Sequence, residues 1–243
     1  MIARPYVLII PALNEAESMG ELLRSIPRDL FSQVIVVDNG SRDATAEVAR
    51  AAGAQVVVEP RQGYGQACLT GLANLPSGTT AVAFMDADLS DEPADLRPLV
   101  KRFEEERLDL AIGSRVLGNP EAGSLTPLQR FGNWLTTRLI RWIWNVSFTD
   151  LGPMRMVSCD ALRRMGLSDR NFGWNVEMQA KAAQLRLRVA EVPVQYRRRR
   201  YGKSKISGTI FKSLQAGAKI LLTVYRCRRN APRHEKAPAP QNV

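Results

Sequence analysis

Three short runs near the start of the chain consist of apolar residues without a break: Tyr6–Ile10 (YVLII), Val34–Val37 (VIVV) and Ala81–Met85 (AVAFM). A strand with one face in water alternates apolar and polar residues, so an unbroken apolar run must be covered on both faces. Between the runs lie helical stripes. Met19, Leu22, Leu23 and Ile26 form one, introduced by Asn14 and Glu17 in a capping-box pattern. A second helix is expected from about Asp43 to Ala52 and a third after Arg61-Gln62-Gly63-Tyr64-Gly65, where Ala67 and Gly71 allow close packing. A fourth is expected from about Ala94 to Arg107, with Leu96, Leu99, Val100 and Phe103 on one face. Further strands are predicted at Gln55–Val58, Leu108–Ile112 and Val189–Val194. Strands and helices alternating at this spacing predict an α/β fold, with a Rossmann-like, mostly parallel sheet flanked by helices.

The Ala81–Met85 run ends on Asp86-Ala87-Asp88. Residues two apart in extended backbone point to one side, so the two carboxylates share a face. Their repulsion raises one pKa unless a cation joins them. A hard divalent ion, Mg²⁺ or Mn²⁺, suits such oxygen ligands and keeps positions open for substrate phosphates. A solvated acidic turn is the plainer alternative. The pair's position favours a site, because open α/β sheets bind ligands at the carboxyl ends of their strands.

Charge is concentrated late in the chain. Of 243 residues with a net charge of +10, Arg197–Lys205 (RRRRYGKSK) holds six positive charges and no acid. Residues 226–243 hold five positive charges and one acid, which leaves the remainder neutral. Such a patch calls for an anionic partner: a phosphate substrate, an acidic lipid surface or nucleic acid. Nucleic acid is set aside, since no recognisable motif accompanies the basic run and a binding module has no use for Asp86 and Asp88. The only histidine, His234, lies in the polar tail, which excludes histidine chemistry at a folded site. Three cysteines without a C-x-x-C pair suggest a reducing cytoplasm. No leader or spanning segment is expected. Thr126–Phe148 reads as a long helix opened by Pro127 and carrying Trp134, Trp142, Trp144, Arg138 and Arg141, either a core helix or an interfacial one. Residues 206–225 are expected to form a final amphipathic helix, followed by a disordered tail.

Read together, IIPALNEAE, VIVVDNGSRDAT, RQGYGQA, FMDADLSDEP, IGSRV, DLGPMR and YGKSKIS resemble the family 2 glycosyltransferases of GT-A fold. The likeness is greatest to the polyprenyl-phosphate sugar synthases of the dolichyl-phosphate mannose synthase type. It implies a nucleotide-diphospho-sugar donor, a GDP- or UDP-sugar, touched by Pro11, Leu13, Glu15, Asp38, Gly65 and Ala87. It implies an ion at Asp86 and Asp88, with Ser90 in the third metal-side position. For a lipid-phosphate acceptor it offers Arg115, Arg130, Arg155, Arg200, Lys203 and Lys205. Leu13 replaces the family's usual aromatic residue, and DLGPMR departs from the run common in lipid-specific relatives. Glu177 falls where other members keep an acid near the acceptor, though an acid at a helix N-terminus reads the same.

The resemblance predicts a single domain: a donor half to residue 118, an acceptor half from 119 to 225, and a tail from 226 to 243. The expected reaction is an inverting, metal-dependent sugar transfer to polyprenyl phosphate by a protein peripheral on the cytoplasmic membrane face. A hydroxyl acceptor, which needs a carboxylate base, is the rival within the family.

Overall fold

The computed structural model describes residues 5–201 and 221–229. The expected order is present as β1 (Tyr6–Ala12), α1 (Ala16–Ser25), β2 (Gln33–Asp38), α2 (Thr45–Ala51), β3 (Gln55–Val58), α3 (Tyr64–Ala73), β4 (Ala81–Phe84), α4 (Leu96–Glu105) and β5 (Leu110–Ser114). The second half adds α5 (Pro127–Trp144), β6 (Arg155–Ser158), α6 (Cys159–Met165), α7 (Trp174–Gln184) and β7 (Val189–Pro193). Among the described residues the seven strands form one sheet in the order β3-β2-β1-β4-β6-β5-β7. β1 pairs in parallel with β2 and β4, and β5 with β7, whereas β6 runs antiparallel to both β4 and β5. The sheet is therefore mixed but mostly parallel, and the carboxyl ends of β1, β2, β4 and β5 share one edge.

The unbroken apolar runs are explained by two cores. Leu8, Ile10, Val34, Val36, Ala81 and Ala83 face one layer with Met19, Leu22, Leu99 and Phe103. Their neighbours Val7, Ile9, Ile35, Val37, Val82 and Phe84 face the other, with Ala67, Ile140, Trp174 and Met178. Each fully buried Leu, Ile or Val adds about 1.5–3 kcal/mol to this packing. Gly71 lets α3 lie against Ile9 and Val37; a Cβ there would stand 2.7 Å from the Ile9 side chain.

Two local expectations are corrected. Asn14 does not cap α1: it adopts φ 50°, and its amide oxygen accepts from the Arg42 N–H at 2.7 Å. The second loop caps α1 instead, with Thr45 Oγ1 accepting from Glu15 N and Asp43 Oδ2 from Ala16 N. Residues 221–229 are helical with Val224 and Cys227 buried, so ordered chain continues beyond residue 225. The expected helix at 206–220 lies outside the described residues. No described helix is long and apolar enough to cross a membrane.

Candidate active site

The ends of β1, β2 and β4 form the floor of a cavity of about 540 Å³, lined by Pro11, Ala12, Leu13, Glu15, Asn39, Gln62, Gly63, Tyr64, Asp86, Ala87, Asp88, Gln129, Asn171, Phe172, Tyr196 and Arg199. Its walls are loops tied to one another. Asn14 N donates to Ser41 Oγ at 2.9 Å, joining the β1 and β2 loops. Asn39 Nδ2 donates to the carbonyls of Glu59 and Arg61, and its Oδ1 accepts from Gly63 N. That side chain fixes the loop before α3 against β2. Asp38 is nearly buried and accepts from Ser41 N at 3.0 Å. Gly63 and Gly65 permit the closest approach, because a Cβ at either would collide with the carbonyls of Arg170 or Asp169. Gly65 thus brings the 169–172 loop, with Asn171 and Phe172, to the cavity wall.

The two carboxylates of Asp86-Ala87-Asp88 have different surroundings. Asp86 Oδ1 is buried with no hydrogen-bond partner among the described residues. Burial first, then the Asp88 charge, push Asp86 up to about 7. Asp88 Oδ1 accepts from Ser90 N at 3.0 Å, and Oδ2 faces Arg199 Nη1 at 3.2 Å. Ser90 is buried beside them. Behind the pair, both Asp91 oxygens are buried and unpartnered among the described residues. Burial, reinforced by Asp86 and Asp88, lifts Asp91 well above the usual carboxylate range. No group of three or more His, Cys, Asp or Glu able to hold a metal occurs among the described residues. Two carboxylates, one with an unsatisfied buried oxygen, fit a hard ion that takes further ligands from a diphosphate.

The arginines divide by environment. Arg115 is locked to Asp150 through Nε and Nη2, both at 2.7 Å, and lies 5.0 Å over the Tyr196 ring. Burial opposes its charge, yet Asp150 raises its pKa overall. Arg155, at the start of β6, is fully buried and donates to the carbonyls of Gly152 and Asn175. Burial lowers it to about 10. Arg155 presents no surface to an acceptor. Arg200 pairs with Glu21 on α1, while Lys203 and Lys205 lie outside the described residues. Arg199 reaches the cavity itself, its Nη2 paired with Glu15 Oε1 and its Nε donating to the Tyr201 carbonyl.

Glu177 belongs to a different part of the molecule. It accepts from Ser168 N, Ser168 Oγ and Asp169 N, pairs with Lys181 at 2.8 Å, and lines a second cavity of about 590 Å³. Burial would raise it, but Lys181 and the two N–H groups hold it below its ordinary value. It clamps the loop that carries Asn171 and Phe172.

A third cavity, about 520 Å³, opens beside the first and shares Gln129 with it. Its wall is α5, started by a Thr126–Gln129 capping box with Pro127 in the first turn. Arg115, Arg130, Arg138 and Arg141 line it together with Val116, Leu125, Trp134 and Phe148. On the outer surface Phe131, Trp134 and Trp142 are exposed, Trp142 by 75%. Arg138 stacks on Trp134, and Arg228 on Trp142. Sequence reasoning missed Asn39, Phe172, Tyr196 and Arg199 as cavity residues. Nothing in RRRR distinguishes one arginine from its neighbours, and the 169–172 loop reaches the cavity only through the two glycines before and within α3.

Comparison with known proteins agrees with this geometry. The family model described as "Glycosyl transferase family 2" matches residues 7–166. An uncharacterized glycosyltransferase of Mycobacterium tuberculosis is 40% identical over 210 residues, covering 86% of this chain and 93% of that protein. The undecaprenyl-phosphate mannosyltransferase of Micrococcus luteus is 30% identical, covering 83% and 87%. Glucosyl-3-phosphoglycerate synthase of Mycobacterium tuberculosis, solved with Mn²⁺, uridine diphosphate and glucosyl-3-phosphoglycerate, superposes with a TM-score of 0.73 at 21% identity, covering 95% of this chain and 82% of that one. That likeness concerns the GT-A-like fold alone. With the matched segment running through every strand end that floors the cavity, the chain belongs to glycosyl transferase family 2 and is a glycosyltransferase.

Proposed function

We propose that this glycosyltransferase moves a sugar from a nucleoside-diphosphate sugar to a polyprenyl phosphate at an anionic membrane surface. The observation that carries this reading is the groove along α5, where four arginines alternate with Val116, Leu125, Trp134 and Phe148 beside the carboxylate cavity. Cations suit a phosphate and the apolar wall suits an isoprenoid chain. A soluble sugar hydroxyl has no use for either. Similarity to the Micrococcus luteus undecaprenyl-phosphate mannosyltransferase supports the same acceptor class.

In this reading the donor lies in the cavity floored by Pro11, Leu13, Asn39 and Asp86. An acceptor phosphate oxygen attacks the anomeric carbon from the face opposite the leaving group. A new carbon–oxygen bond forms, the bond to the donor diphosphate breaks, and the configuration inverts. Negative charge grows on the departing diphosphate. Asp86 and Asp88 would hold Mg²⁺ or Mn²⁺, whose Lewis acidity neutralises that charge when bound. The acceptor phosphate has a second pKa of about 6 and is already anionic, so no general base is required. Glu177, committed to the 168–169 loop, therefore acts as a positioning residue. Arg115, held by Asp150, orients the junction between donor and acceptor cavities, and Arg130 is the exposed cation next to it.

The test incubates a panel of labelled GDP- and UDP-sugars with undecaprenyl phosphate in detergent, with Mg²⁺, Mn²⁺ or EDTA. One donor should yield an organic-soluble, acid-labile product in the presence of the ion and none with EDTA. Water-soluble product alone would contradict the acceptor, and full activity in EDTA would contradict the ion.

A further inference from the structure

Arg199 stands where a cation is wanted. Its side chain is largely enclosed, and its guanidinium spans two carboxylates that lie far apart in sequence, Glu15 on the β1 loop and Asp88 after β4. The contact to Asp88 Oδ2 measures 3.2 Å, while Asp88 Oδ1 is already engaged by Ser90 N. Both oxygens of Asp88 are thus satisfied, whereas Asp86 Oδ1 has no partner among the described residues. A divalent ion that uses both aspartates meets the guanidinium at Asp88 Oδ2, where the two positive charges repel.

We propose that Arg199 is an internal counter-cation of the ion site, displaced from Asp88 when a divalent metal binds. This rests on the reading of Asp86 and Asp88 as metal ligands. The exchange has a physical reason. Glu15, Asp86 and Asp88 line the cavity with Asp91 buried close by, and a partly enclosed cluster of carboxyl groups without a cation is unfavourable. Arg199 relieves it in the metal-free protein, at the cost of weaker metal binding. The planar fork matters, because a single ammonium point charge cannot span two carboxylates in this way.

The experiment measures Mn²⁺ binding to metal-stripped wild type, Arg199→Ala and Arg199→Gln by calorimetry, with folding followed by circular dichroism. Neither nucleotide nor lipid is added, so the readout is independent of turnover. A substitution that acted only by loosening the cavity would leave Mn²⁺ affinity unchanged or lower it. The exchange predicts the opposite: affinity rises about tenfold in both variants, equivalent to ~1.4 kcal/mol. Arg199→Gln keeps a side-chain N–H for the Tyr201 carbonyl and so guards against a failure of Arg199→Ala to fold. Adding Asp88→Asn to either variant should abolish the gain. Folded variants with wild-type or weaker Mn²⁺ affinity would overturn the proposal. Absence of Mn²⁺ binding in wild type and variants alike would instead remove the ion site itself, and the exchange with it.

Discussion

The carboxylate cavity, which we propose as the donor site, and the α5 groove, proposed as the acceptor site, lie side by side yet are built in opposite ways. The floor of the donor cavity is assembled from strand ends, each a short segment: Pro11–Leu13 with Glu15, Asn39, and Asp86–Asp88. Rigid parallel strands fix these residues, and reciprocal loop bonds such as Asn14–Arg42 and Asn39–Gly63 remove the remaining freedom. The acceptor groove is a helix face bordered by loops, with Arg130 and Trp134 exposed on α5. Enclosed carboxylates on strands suit chemistry that depends on sub-ångström placement. Exposed arginines and aromatic rings on a helix suit a ligand that arrives with a membrane. The comparison teaches that position and charge can be divided between two halves of one site.

If the division is right, damage to the two sides has different signatures. The largest effect is expected at the donor floor. Asp88→Asn keeps shape but removes charge from the ion site, and should cut transfer by about 10²–10³-fold with an unchanged circular dichroism spectrum. Near-wild-type turnover would break the assignment. On the acceptor side, Arg130→Ala with Arg138→Ala should raise the KM for polyprenyl phosphate about tenfold, equivalent to ~1.4 kcal/mol, while slow donor hydrolysis stays constant. Equal loss of both activities would move these arginines into the donor site.

A smaller effect separates groove from membrane. Trp142→Ala removes an exposed ring that carries Arg228 and lines none of the three cavities described above. Sedimentation with anionic vesicles should weaken a few-fold, and more steeply as salt rises, because surface attraction decays within a Debye length. Transfer to acceptor in detergent should be untouched.

The smallest effect is in the scaffold. Glu59 accepts from Thr70 Oγ1, Arg61 N and Gln66 Nε2, which hold its pKa down to about 2 from 4.5. A depressed carboxylate stabilises the fold above its unfolded pKa and loses that contribution as pH falls through the folded one. Glu59→Gln should therefore lower Tm by a few degrees at pH 7, and the gap to wild type should narrow between pH 4.5 and 2. A pH-independent gap would mean that Glu59 acts by shape alone.

What was legible in the sequence follows the same division. Strands β1, β2 and β4 are visible because burial on both faces forces unbroken apolar runs, whereas β3 lies at the sheet edge, partly exposed, and shows only as the short Val56-Val57-Val58 run. Asp86 and Asp88 are visible because no core would accept them at the end of such a run. β6 was missed: Arg155-Met156-Val157-Ser158 is short, begins with a charge, and owes its place to antiparallel pairing with β4 and β5. Arg155 illustrates the limit. A cation in a basic protein reads as a surface ligand, and only the fold reveals that its guanidinium is turned inward onto the carbonyls of Gly152 and Asn175. Arg199 is the converse, one of four identical neighbours until Glu15 and Asp88 single it out. Long-range partners decide both cases, and local pattern cannot supply them.

The central claim is that the acceptor is recognised as an anion, and it is tested most directly by offering the same isoprenoid chain with and without its phosphate. With the preferred donor and Mn²⁺ present, polyprenyl phosphate should be glycosylated and free polyprenol should give no product, since its hydroxyl needs a base and leaves the four arginines of the groove without a counter-charge. Comparable rates on polyprenol and polyprenyl phosphate would contradict the account and establish a hydroxyl acceptor.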